Sequence, residues 1–380
     1  MKFVKADELK TGMRLAKPIY NKSGVMLYER DSKLSDQGIV SIRNFGLIGV
    51  YILEPAEPVP PMTRDDVEFE RFQAISVFAI KEILDDISKQ KESKRLYQFA
   101  NQLIKNYGTL DHKINFIQNL RSTEDYVYKH SLNTAILCAL MSKQMNLDLK
   151  KQLDLVVAAI LHDIGTLMIP LELRRKSELE RTTEDQKKIH TYYVAAYQLF
   201  SRDYALDAGV KLILAVALRR IFHVGSQSEE LEKKHIPEVE ILRTAYMYDQ
   251  FTAMRFDEEP WSDVMALRFL MDQNNGYDPD TVQALVQSIN ILEPGVCVEL
   301  TNGDKGLVIA PGAINVLQPF VLSFRDNRIY NLGDSYVASQ IQVKDVMKTM
   351  DNRHVMAGDV LKEYTGAAVH IGEHLTKKTY

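Results

Sequence analysis

Apolar side chains recur at spacings of three and four over residues 65–90. Phe69, Phe72, Ile75, Ala79, Ile83 and Ile87 fall on one stripe, which predicts a long amphipathic helix. Leu96, Phe99, Leu103 and Tyr107 predict a second helix over 93–107. From 121 to 292 the pattern is helical almost throughout, with helices expected near 122–146, 150–163, 183–201, 206–222, 238–254, 260–272 and 278–291. The run Thr183-Glu184-Asp185-Gln186 is a capping-box pattern, and Pro279 sits where a first helical turn tolerates it. Outside this block the period changes. Residues 1–53 read as a small mixed domain: two strand-like runs around Asn21-Lys22-Ser23-Gly24, a short helix closed by Gly46, and the strand Ile48-Gly49-Val50-Tyr51-Ile52-Leu53. Four prolines in residues 54–62 cannot join a helix or a central strand, so 54–64 reads as a stiff linker. After Glu293-Pro294 come β-rich runs around Asn302-Gly303 and a further hairpin pattern in 320–332. The expected fold is mainly α: a helical bundle core at 121–292, connecting helices at 65–120, the small mixed α/β domain at 1–53, a small β appendage at 293–340, and a tail at 341–380 with a helix and loosely ordered residues.

Composition narrows the function classes. The chain has 380 residues, 46% hydrophobic and 26% charged, enough for two or three domains with a large core. A net charge of −4 argues against a DNA-binding surface, which would need a basic stripe. No apolar run reaches the roughly 18 residues of a membrane span, and the N-terminus lacks the apolar block of a secretory signal. Cys138 and Cys297 are too few and too far apart in sequence for a thiolate metal site or a disulfide scaffold, and a cytoplasmic protein is expected.

Candidate chemistry lies on three of the expected helices. His130 is on the first, in YVYKHSLNTAIL. His162 and Asp163 end the next, in AAILHDIGTLMIP. His190 is on the third, in QKKIHTYYVAAYQLF. Side chains from separate bundle helices can converge on a metal. Imidazole and carboxylate donors without thiolate suit Fe, Mn, Zn or Co. An adjacent His-Asp lets the carboxylate bridge two ions about 3.5–4 Å apart, the arrangement that activates water against a phosphodiester. Read alone, each residue is weaker evidence. A single helix histidine such as His190 is most often just a polar side chain. The His162-Asp163 pair stands out because it closes the apolar run Leu155–Leu161, where an unpaired carboxylate would be costly. The string His370-Ile371-Gly372-Glu373-His374 matches a metalloprotease pattern, but it lies in a polar tail with no downstream ligand, and chance accounts for it.

The order His130, His162-Asp163-Ile164-Gly165, Ile169-Pro170, His190 resembles the HD superfamily of metal-dependent phosphohydrolases, and more specifically its HD-GYP branch, whose active members are cyclic di-GMP phosphodiesterases. The resemblance covers about residues 121–292. Residues 1–53 resemble the small domain often found before HD-GYP domains, and 293–310 the β segment often found after them. It implies an HD-type helical bundle with His130, His162, Asp163 and His190 as metal ligands, and Asp163 as the catalytic residue that orients the attacking water. It also implies a divalent cofactor, Fe, Mn or Zn.

Several positions depart from the family pattern. Thr166 replaces the phosphate-holding lysine after HDIG, and Leu218, Arg219 and Arg220 stand where an adjacent His-His-Glu is expected. The Gly-Tyr-Pro loop is absent. Tyr246 takes the place of a ligand aspartate, Asp249 matches a second, non-ligand one, and Tyr126 replaces a glutamate. These departures leave one ion, at most two, or none. They make Thr166, Arg219 and Arg220 the candidate substrate contacts, arginine forks being suited to phosphate. The expected function is a degenerate HD-GYP-type protein in bacterial cyclic-dinucleotide signalling, binding a nucleotide or a signalling protein partner with weak or no phosphodiesterase activity. Whether it is an enzyme stays open. The alternatives are an active cyclic di-GMP phosphodiesterase with a reduced or rebuilt site, and a non-catalytic interaction module; a homodimer is compatible with each.

Overall fold

A computed structural model of the chain describes residues 1–21, 25–53, 63–224, 234–255 and 258–347. The proline-rich segment 54–62, most of the loop standing in for Gly-Tyr-Pro, and His370–His374 lie outside the described residues.

At the N-terminus, β1 (Lys2–Lys5), β5 (Gly49–Leu53) and β2 (Arg14–Leu15) form an antiparallel sheet in the order β1-β5-β2. β3 (Ile19–Tyr20) and β4 (Met26–Tyr28) form the expected hairpin. Helix α1 (Asp36–Asn44) starts where the Ser35 hydroxyl accepts from the Gly38 amide. The unit is pinned to the bundle by the Ile48 amide, which donates to the Arg121 carbonyl at 2.9 Å, and by Lys17 Nζ, which donates to the Gln118 carbonyl at 2.7 Å.

The bundle is built on α4 (Tyr126–Gln144), whose residues Val127 to Ser142 are almost all buried. It is wrapped by α2 (Arg64–Ser88), α3 (Leu96–Tyr107), α5 (Leu149–Leu161), α10 (Pro237–Thr252) and α12 (Pro279–Ser288). A helix buried on every side has no amphipathic stripe, and α4 is apolar all round except for the few polar groups described below. Two five-residue helices, α6 (Ile164–Met168) and α7 (Leu171–Arg175), follow α5. Then come α8 (Thr183–Gln198), opened by the Thr182–Asp185 capping box, and a π-helical turn, Leu199–Asp203. α9 (Ala208–Phe222) and α11 (Asp263–Met271) complete the bundle.

The C-terminal sheet has the order β10-β6-β7-β8-β9, antiparallel throughout, from β6 (Cys297–Leu300), β7 (Lys305–Ala310), β8 (Phe320–Ser323), β9 (Ile329–Asn331) and β10 (Val343–Val346), with the one-turn helix α13 (Ser335–Ala338) before β10. The expected tail therefore begins as an edge strand: β10 pairs with β6, and Arg268 of α11 donates to the Val343 carbonyl at 2.7 Å. Among the described residues no helix is long and apolar enough to cross a membrane.

Candidate metal site

Both halves of the His-Asp pair sit at the break between α5 and α6. His162 is the C-cap of α5 and Asp163 the N-cap of α6; both are buried. Gly165 explains the spacing. A Cβ there would come within 2.7 Å of the Tyr193 ring and 3.3 Å of Ala196 Cβ, so glycine is what lets α6 lie directly on α8. That contact brings Thr166 under the Tyr193 hydroxyl at 3.2 Å, while its own hydroxyl donates to Asp163.

His130 arrives from α4 and is fully buried. Its Nδ1 faces Asp249 Oδ2 at 2.6 Å. Asp249, on α10, is itself fully buried and is the hub of a polar network. Arg121 Nη2 donates to both of its oxygens at 2.7 Å, Asn133 Nδ2 donates at 2.9 Å and Gln118 Nε2 at 3.1 Å. Burial alone would push this carboxyl up. Arg121 and His130 outweigh burial and hold it well below the usual carboxylate range. An ionised carboxylate only accepts, so the His130 Nδ1 carries a proton. The His162 Nδ1 lies 2.7 Å from the Ala159 carbonyl, which also only accepts, so it too is protonated.

These assignments fix the other side of both rings. The Nε2 atoms of His130 and His162 face each other at 3.2 Å. Burial and the neighbouring His130 pull the His162 imidazole down to about 3, which keeps it neutral. With both rings donating through Nδ1, their two Nε2 atoms are aimed at one point. The contact is repulsive unless a proton or cation sits there, apart from the Gln250 amide approaching His130 Nε2 at 3.4 Å. Two nitrogens bound to one ion at about 2.0–2.1 Å with ordinary bond angles are about 3.0–3.4 Å apart. The pair fits one metal ion, and the Nδ1 partners are the outer contacts that orient metal-binding histidines. Burial pushes the nearby Asp163 carboxyl up, against the pulls of His130, the Thr166 hydroxyl and Arg174.

The rest of the expected ligand shell is different. The Tyr246 ring lies 5.0 Å from the His130 ring and 5.5 Å from the His162 ring, edge-on to both. Asp249 lies behind His130, fully engaged, rather than beside its Nε2. His190 is exposed on α8, in which only Ala196 is buried, so the first half of that helix stands off the bundle. Leu218 is buried in the core, and Arg220 is ion-paired with Glu240 and donates to the Lys234 carbonyl at 3.0 Å. His223 is the exposed left-handed cap of α9, and His235 is bound to Asp278 at 2.8 Å. Among the described residues no three His, Cys, Asp or Glu side chains are grouped so as to hold an ion. Arg121, Gln118 and Asn133 escaped the sequence reading. Asn133 had a signal, one turn from His130 on the same helix. Gln118 and Arg121 had none, because they meet Asp249 across more than a hundred residues.

Known proteins agree with this architecture. Residues 115–281 match the HD domain family. The cyclic di-GMP phosphodiesterase PA4108 of Pseudomonas aeruginosa is 24% identical over 209 residues, which are 54% of this chain and 49% of that protein. The cyclic di-GMP phosphodiesterase PdeB of Borreliella burgdorferi is 22% identical over 209 residues, 55% of this chain and 55% of that protein. The chain spans about half the length of the curated relatives it matches. Residues 115–281 are thus similar to HD domains, and about half of the chain is similar to two cyclic di-GMP phosphodiesterases.

Proposed function

We propose that the chain binds a cyclic dinucleotide at an HD centre holding one divalent ion, Fe, Mn or Zn, and that it acts in signalling with little or no turnover. The observation that carries this reading is the convergence of His130 and His162 Nε2 at 3.2 Å, with an aromatic ring, Tyr246, beside them where a further carboxylate would complete a ligand set. His130 and His162 would hold the ion, and Asp163, the next residue in the chain after His162, would be the carboxylate to join them. A bound ion would supply Lewis-acid polarisation of a phosphodiester. The protein's own part is orientation. Asp249, anchored by Arg121, fixes the His130 ring, and Thr166 and Tyr193 fix the Asp163 carboxylate. Where the resemblance expects ligands of a second ion stand Leu218, Arg219 and Arg220, and Arg219, with no ion pair among the described residues, carries positive charge that repels a cation.

The test is to titrate the full chain with cyclic di-GMP by calorimetry, with manganese or ferrous iron present, and to follow hydrolysis by chromatography in the same samples. Saturable binding with turnover at least about a hundredfold below an ordinary kcat near 10 per second is expected. Ordinary turnover would show an active phosphodiesterase, and absence of binding would leave the chain an interaction module.

A further inference from the structure

Three arginines, Arg174, Arg181 and Arg219, lack the carboxylate partner that the other arginines with little solvent exposure have. Arg30, Arg121, Arg220 and Arg243 each meet a carboxylate. Arg174 on α7, Arg181 just before α8 and Arg219 on α9 make no ion pair within 4.0 Å among the described residues. Five of their guanidinium nitrogens, Arg174 Nε and Nη1, Arg181 Nε, and Arg219 Nε and Nη1, are buried without a hydrogen-bond partner. A guanidinium keeps its charge, so burying its N–H groups unpaired is expensive. Arg220, next to Arg219 in sequence, is spent on Glu240, which separates the two candidates that the sequence could not rank.

The three come from different segments, and each is linked to one group of side chains. Arg174 acts on the charge of Asp163, and Arg181 acts on the Tyr193 hydroxyl. Tyr193 meets Thr166, which is bonded to Asp163. Arg219 Nη2 donates to the Tyr197 hydroxyl at 2.9 Å, one turn along α8 from Tyr193. Phe222, one turn along α9 from Arg219, stacks on Tyr193 at 4.1 Å. The donors are forked, none of the three makes an ion pair within 4.0 Å among the described residues, and the adjoining group leads to Asp163. Such a set matches a tetrahedral dianion or diester oxygen pair better than a carboxylate-bearing peptide, since guanidinium forks engage phosphate oxygens two at a time.

We propose that Arg174, Arg181 and Arg219 form a phosphate-binding ledge beside the HD centre, which takes a phosphodiester group of the bound nucleotide. The assignment of a nucleotide rests on the function proposed above; the ledge itself needs only a phosphate group. The ledge replaces with guanidinium charge what a lysine after the HDIG motif and a second ion would otherwise supply.

The test uses the full chain and three probes: cyclic di-GMP, GMP and inorganic pyrophosphate. Wild type is compared with Arg174→Gln, Arg219→Gln and the double variant, and with Arg174→Lys and Arg219→Lys, which keep the charge but lose the fork. Each glutamine substitution is expected to weaken cyclic di-GMP binding roughly tenfold, as loss of one charged hydrogen-bonding group does. The double variant should also flatten the salt dependence of binding, while metal content stays at the wild-type value and thermal unfolding does not fall below it. The lysine variants guard against misfolding and should lie between. Cyclic di-GMP binding that is unchanged in the double variant overturns the ledge. So does failure of all three probes to bind wild type. Arginine-dependent binding of pyrophosphate or GMP without binding of cyclic di-GMP keeps the ledge and overturns the cyclic-dinucleotide reading.

Discussion

Replacing Arg121 by methionine lowers the unfolding free energy by about 3–5 kcal/mol, the cost of leaving a buried carboxylate without its partner. Arg121 and Asp249 are both fully buried, and the guanidinium reaches both carboxylate oxygens. Denaturant titration of the two proteins measures the difference. The pH dependence carries the sign of the same interaction. Asp249 is held below its unfolded value, so its contribution is complete above the unfolded carboxylate value of about 4 and is lost as pH falls through the lower folded one. The wild type should therefore lose this part of its stability only in acid, and the Arg121→Met variant should lose less on acidification because it has less to lose. A variant within about 0.5 kcal/mol of wild type would show that Asp249 is not ionised as drawn, and the proton assignment on His130 would go with it.

Tyr246→Asp strengthens divalent-metal binding by about tenfold or more, each tenfold being about 1.4 kcal/mol. The ring of Tyr246 lies against both imidazoles, 5.0 and 5.5 Å between centroids, so a carboxylate on the same backbone position would stand close to the two rings. The metal-free variant should melt below wild type, since a large buried side chain is exchanged for a carboxyl in an apolar place. Added manganese or zinc should then raise its melting temperature more than it raises that of wild type, because an ion that binds only the folded chain stabilises it by mass action. Equal metal response in the two proteins would mean that Tyr246 does not occupy a ligand position.

The long helices were legible because their apolar period or their unbroken apolar runs outlast any local ambiguity. α2 and α12 show the first signal and α4 the second. α6 and α7 were not: five residues make barely more than one turn, and nothing periodic can be read from them. β10 hid in an expected tail because its partner, β6, lies more than forty residues earlier. At the candidate site, the order of residue types along the chain singled out His130 and His162, whose Nε2 atoms the fold brings to 3.2 Å. Asp249 was noticed, but its work as the anchor of the His130 ring was not, since its partners Arg121 and Gln118 come from an irregular stretch that only the fold brings beside α10. His190 illustrates the opposite case. Its position in the motif was readable, but whether α8 turns that position inward depends on packing at Gly165 and Ala196, and in the folded chain it is exposed. Arg174 and Arg181 were hidden in a charged run, Arg174-Arg175-Lys176 to Arg181, of the kind that is usually a solvated face.

The central claim is that two converging imidazoles make a one-ion HD centre. The measurement that tests it most directly is the metal content of the purified full chain, expressed with iron and manganese supplied, beside a His162→Ala control. Close to one ion per chain, lost in the control, is the predicted result. Two ions per chain, or one that survives His162→Ala, would contradict it.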